Sequence, residues 1–163
     1  MDAVVHPDGR LVLGGQVFRA ALGRGGVRAD KQEGDGATPA GLLALRRVLY
    51  RADRGPLPLT VLAREPIAAS DGWCDDPAHP DYNRQVRLPH PARCEALWRD
   101  DGVYDLLAVL GWNDAPVLRG RGSAIFLHVA RPDHAPTEGC IALAPAALRE
   151  VLARGLATIQ VLG

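Results

Sequence analysis

Ser123-Ala124-Ile125-Phe126-Leu127-His128-Val129-Ala130 is an almost wholly apolar run of strand length. Strict alternation of apolar and polar residues would mark a strand with one face in water. A continuous apolar run marks a strand covered on both faces, so this stretch predicts the centre of a sheet. His128 then sits near the end of a rigid, buried element. Working outward, Val103–Trp112 predicts a strand before it, and Leu156–Leu162 predicts one that closes the chain. Between them, Pro145 suits the first turn of a helix running to about Arg154. Towards the N-terminus, Ala3–His6, Leu11–Leu13 and Val17–Leu22 read as consecutive strands, joined by turn chemistry at Pro7-Asp8-Gly9 and Gly14-Gly15.

Leu42–Tyr50 fits helix or strand by periodicity. Its flanks, Thr38-Pro39-Ala40-Gly41 and Asp53-Arg54-Gly55-Pro56, favour strand. Leu59–Ala63 is a further apolar run. Residues 66 to 92 carry little apolar periodicity and several prolines, which predicts a long functional loop. Ala92–Arg99 predicts a short helix. The expected fold is therefore mainly β: one β-rich sandwich or barrel domain over residues 1–163, with two or more short helices.

Composition bounds what such a domain does. The chain has 163 residues, 47% of them hydrophobic and 23% charged, with 19 basic side chains against 19 acidic ones. These values exclude disordered, collagen-like and disulfide-scaffold classes. With no net field, nucleic acid and anionic membranes are not expected partners. No apolar run reaches the roughly 20 residues of a membrane-spanning helix. Met1-Asp2-Ala3-Val4-Val5-His6 lacks a basic stretch followed by an apolar segment, so no export signal is expected there. Cys74, Cys94 and Cys140 are odd in number, which leaves at least one thiol free unless two chains pair. Cys74 and Cys94 are candidates to bridge a loop.

The chemistry-bearing constellation is His128, followed twelve residues later by Cys140 in Thr137-Glu138-Gly139-Cys140. A thiolate is the reactive form of cysteine, and an imidazole within reach takes the thiol proton and, once charged, stabilises the anion. Gly139 allows a sharp bend that turns amide N–H groups toward a developing oxyanion. This pairing predicts a Cys140 that alkylates faster than Cys74 or Cys94, with a pH profile below that of a free thiol. The competing reading is a buried apolar cysteine and a structural histidine. A metal reading would use His128, His134 and Cys140 with His79 and His90, but their gaps are unlike the compact paired spacings of zinc sites. No metal and no cofactor is expected. Lys31–Gly41 is glycine-rich without the Gly-Lys-Ser/Thr ending of a phosphate loop, and reads as a tight surface turn. Tyr82-Asn83-Arg84 is a candidate groove lining, against a reading in which Trp73 and Tyr82 pin a solvated loop. Tyr104, Trp112 and Asn113 read as core and turn residues.

Lys31-x-x-Gly34-Asp35-Gly36-x-Thr38-Pro39-x-Gly41, then a strand-borne His128, then Thr137-x-Gly139-Cys140 resembles the L,D-transpeptidase catalytic domain, the YkuD domain, in a shorter single-domain branch. The resemblance runs from about Val17 to Leu162. It implies a β-rich enzyme forming peptidoglycan cross-links, with Cys140 as nucleophile, His128 as general base oriented by a backbone carbonyl, and amides near Gly139 and Cys140 around the oxyanion. It implies donor and acceptor stem peptides as partners, through a thioester on diaminopimelate and a 3-3 or 1-3 cross-link. Acylation by carbapenem-type inhibitors, a periplasmic location and a monomer are also expected. Tyr82, Asn83, Arg84, Arg131, Thr137 and Glu138 are the candidate substrate contacts. L,D-carboxypeptidase activity at the same site, or peptidoglycan binding without catalysis, are the alternatives. Three positions depart from the family pattern. Glu138 replaces the usual His or Arg, Ala142 stands where Arg or Asn is common, and the gap between His128 and Cys140 is short. Glu138 is expected either to point away from the thiol or to bind an acceptor's ammonium group, and Arg84 or Arg131 to pair with a substrate carboxylate.

Overall fold

The computed structural model describes all residues, Met1–Gly163. Its strands are β1 (Asp2–Val5), β2 (Arg10–Leu13), β3 (Gln16–Ala21), β4 (Val27–Arg28), β5 (Thr38–Pro39), β6 (Gly41–Tyr50) and β7 (Arg64–Pro66). They continue with β8 (Asp71–Cys74), β9 (Gln85–Arg87), β10 (Cys94–Ala96), β11 (Leu106–Leu110), β12 (Phe126–Val129), β13 (Ile141–Leu143) and β14 (Thr158–Val161). The one helix, α1 (Pro145–Ala153), opens on Pro145 and buries Leu148, Val151 and Leu152.

The main sheet runs β11-β12-β13-β3-β2-β1-β14-β6-β7, and a further β11–β6 pairing closes it into a barrel. The closure belongs to β6, ten residues long. Its first half pairs with β14 and its second half with β11, where the register shifts between Val109 and Leu110. Closure removes the exposed edges an open sheet would carry. Leu11, Leu13, Leu43, Leu45, Val48, Leu127 and Leu143 fill the barrel, together with the apolar face of α1.

A second apolar cluster lies outside the barrel wall, between it and a small sheet of order β10-β8-β9. Side chains alternate across a strand. Leu106, Ala108 and Leu110 of β11 therefore enter the barrel while Leu107 and Val109 enter the outer cluster. Leu127 of β12 likewise points inward and Phe126 outward. These strands are apolar throughout because both faces are covered.

The small sheet corrects two expectations. Ala92–Arg99 is not helical: it holds the strand β10, which pairs antiparallel with β8. Residues 66 to 92 are not a featureless loop, since they contain β8 and β9, paired with each other. These strands are only three or four residues long, too short for periodicity to declare them. The helix count falls to one.

Candidate active site

Parallel pairing of β12 with β13 sets Leu127 beside Ile141 and His128 beside Ala142. Continued by one residue, this register brings Cys140 level with Phe126, one pleat from His128 on the same face. The thiol is anchored there: Cys140 Sγ accepts from Phe126 N at 3.3 Å and donates to the Ala124 carbonyl at 3.2 Å. His128 and Cys140 line one cavity of about 410 Å³.

His128 Nδ1 lies 2.9 Å from the Val129 carbonyl. A carbonyl only accepts, so the proton of the neutral ring sits on Nδ1 and Nε2 is left as the bare base. Burial brings the His128 pKa down from 6.5 to about 4 against the pull of the Val129 carbonyl, and Arg99 and Arg131 add to the lowering. Tyr104 packs edge-on against the ring, 5.4 Å between centroids. Burial also pushes the Cys140 thiol from 9.0 up to about 12, and the Glu95 carboxylate adds to the rise; the Phe126 amide and Lys31 oppose it. Both shifts favour the neutral thiol and the neutral imidazole, the direction opposite to the expectation of a thiol more acidic than a free one.

The turn before Cys140 is built by two segments far apart in sequence. Thr137 Oγ1 donates to the Cys140 carbonyl at 2.7 Å and accepts from Gly139 N at 3.1 Å. The Gly139 amide is thereby used inside the turn, whereas the Cys140 amide has no acceptor in the protein. Gly139 has φ +133, and a Cβ there would stand 2.7 Å from the Ala37 carbonyl. Only glycine fits. Ala37 belongs to the Lys31–Gly41 segment, where Asp35 accepts from the amides of Gln32 and Ala37 and pairs with buried Lys31 at 2.6 Å. Through buried Lys31, Ala37 and Thr38 this segment supports the turn before Cys140, and it is not the expected surface turn.

The remaining predicted residues divide. Arg131, Thr137 and Glu138 line the cavity with His128 and Cys140; Tyr82, Asn83 and Arg84 do not. Tyr82 is buried, donating to Glu33 at 2.7 Å and accepting from Gly122 N at 3.0 Å. Asn83 is buried at φ +56, accepting from Trp73 Nε1 and Ala124 N and donating to the carbonyls of Trp112 and Asn113. Its network fixes the approach to β12. Arg84 lines a separate cleft with Asn83 and Trp112. Glu138 points outward, its side chain 80% exposed and paired with Arg24 at 2.9 Å. The carboxylate that acts on the thiol is Glu95.

Sequence reasoning missed Glu33, Asp75, Glu95, Arg99 and Tyr104 as cavity residues. Tyr104 donates to Glu95, whose pKa is raised by burial and further by Asp75 and Glu33. The cavity thus carries opposed charges, with the carboxylates Glu33 and Asp75 acting on Glu95 and two arginines acting on His128. Glu95 belongs to no motif; pairing of β10 with β8 is what turns it into the cavity.

A family model for the L,D-transpeptidase catalytic domain, YkuD, matches residues 3–159. No curated protein sequence matches the chain. The chain belongs to the L,D-transpeptidase catalytic-domain family, whose members modify peptidoglycan.

Proposed function

We propose that this family member is a cysteine-dependent L,D-transpeptidase that forms peptidoglycan cross-links through a thioester on a diaminopimelate-containing stem peptide. The observation that carries the reading is the shared cavity of Cys140 and His128, with Nδ1 committed to Val129 and Nε2 free. In the donor step the Cys140 thiol proton passes to His128 Nε2 as sulfur attacks the diaminopimelate carbonyl. The Cys140 amide donates to the resulting oxyanion. Collapse breaks the C–N bond, and His128 returns the proton to the leaving amine. An acceptor amine then attacks the thioester, gives its proton to His128 and restores the thiol. The opposed charges of the cavity suit a ligand carrying both ammonium and carboxylate groups, with Arg131 meeting the carboxylate. Such a substrate lies outside the cytoplasmic membrane, which makes the periplasm the proposed location.

Intact-protein mass spectrometry of wild type and Cys140→Ala with purified stem-peptide muropeptides, with product analysis, tests the reading. A Cys140-dependent adduct with cross-linked dimers is expected, and the leaving group identifies the donor. Shortened monomers alone would replace transfer by carboxypeptidase activity. Binding with neither adduct nor product would overturn catalysis.

A further inference from the structure

Outside the catalytic cavity, four metal-ligating side chains and a carboxylate converge on the small sheet. Cys74 of β8 and Cys94 of β10 are direct cross-strand partners. Their sulfurs and a ring nitrogen of His90 lie within 4.8 Å of one another, and His79, Asp81 and His90 form a second such group sharing His90. The His79 and His90 rings stack edge-on, 4.7 Å between centroids. A disulfide would use the two cysteines and leave this convergence of histidines without a reason. In sequence His90-x3-Cys94 is a short-range pair, and pairing of β8 with β10 adds Cys74 to it. A short spacing of this kind, with sulfur and nitrogen donors, suits zinc.

We propose that Cys74, Cys94 and His90 bind a zinc ion, with the fourth position open to water. Both thiols bind as thiolates, releasing their protons to solvent. His90 Nε2 lies 2.9 Å from Asp81 Oδ2. A metal taken on Nδ1 keeps that Nε2–H bond to the carboxylate, the arrangement by which carboxylates orient metal-bound histidines. Only the Ala92 amide contact to Nδ1, at 3.1 Å, is given up. The role is structural. Across the pleat from the cysteines, Trp73 and Glu95 face the other way, Trp73 against Phe126 and Glu95 into the catalytic cavity. The ion would clamp β8 to β10 and so hold Glu95 in place.

The full chain, fully reduced, is titrated with Zn²⁺ and separately with Co²⁺. The expected result is one equivalent of Zn²⁺ bound more tightly than about 1 μM. Two protons are released, and bound Co²⁺ shows thiolate-to-metal charge transfer. Cys94→Ser and His90→Gln each weaken binding more than tenfold, Asp81→Asn weakens it by about 10- to 100-fold, and Cys140→Ala leaves it unchanged. The Co²⁺ spectrum is read on wild type, so a variant that fails to fold does not rescue the idea. Absence of one-equivalent binding, a Co²⁺ spectrum without thiolate bands, or binding lost in Cys140→Ala would overturn it. So would an isolated protein that carries a Cys74–Cys94 disulfide and shows no metal affinity after reduction.

Discussion

At the scale of single residues, the site is governed by burial. A charge-separated thiolate–imidazolium pair is favoured where water or fixed charges solvate it. Here both groups are buried, and the carboxylate near the sulfur opposes the anion. In the proposed mechanism the pair stays neutral until a substrate carbonyl is in place, and proton transfer accompanies attack. Two outcomes follow. His128 must be neutral to act as a base, so activity should persist as pH falls through 6.5 and fail only near 4; a kcat/KM profile with its acid limb near 6.5 would contradict this. Alkylation of Cys140 by iodoacetamide at pH 8 should be slower than that of a free thiol, and His128→Gln should not slow it further. Peptide mapping after timed alkylation measures both, and a fast, His128-dependent Cys140 would restore the ion pair.

At the scale of elements, two segments support the surroundings of Cys140, one at the Gly139 turn and one at the approach to β12. The Lys31–Gly41 segment does so through Asp35, which holds two amides and the buried Lys31. Removing one partner of a buried pair leaves the other charge uncompensated, which costs about 3–5 kcal/mol. Asp35→Ala should lower unfolding stability by that amount in urea titration and also reduce acylation, since Ala37 packs against Gly139. Unchanged stability would show that the segment is peripheral. The second support is the Asn83 network, which ties Trp73, Trp112 and Asn113 to the residues that lead into β12. Tyr82-Asn83-Arg84 was legible as important, but its work is internal. Short polar side chains with four satisfied hydrogen bonds look, in sequence, the same as solvated ones.

At the scale of the whole molecule, the same two groups couple folding to pH. His128 titrates near 4 when folded and near 6.5 when not, so its contribution is full above 6.5 and is lost as pH falls toward 4. Cys140 is shifted the other way: its contribution is full below 9 and is lost as pH rises toward 12. Stability measured by urea unfolding should be greatest between these windows. His128→Gln should flatten the acid side and Cys140→Ala the alkaline side. An acid side unaltered by His128→Gln would mean that other groups dominate it.

The sequence by itself determined the β-rich class, because runs such as Ile125–Leu127 and Leu42–Tyr50 carry their burial in their composition. It also singled out Cys140, His128 and the glycine that precedes the cysteine as candidates, because residue type at short separation is legible without a fold; the structure sets the two side chains in one cavity. The tertiary structure alone decided that β6 closes a barrel, since strand partners are chosen by long-range register. It made Ala92–Arg99, an expected helix, the carrier of the strand β10, because a three-residue strand has no period of its own and takes its conformation from β8. It placed Glu95, Arg99 and Tyr104 around the thiol and His90 beside Cys74 and Cys94. Charge and coordination depend on distance in space, and chains folded through β8 and β10 bring together groups that sequence order keeps apart.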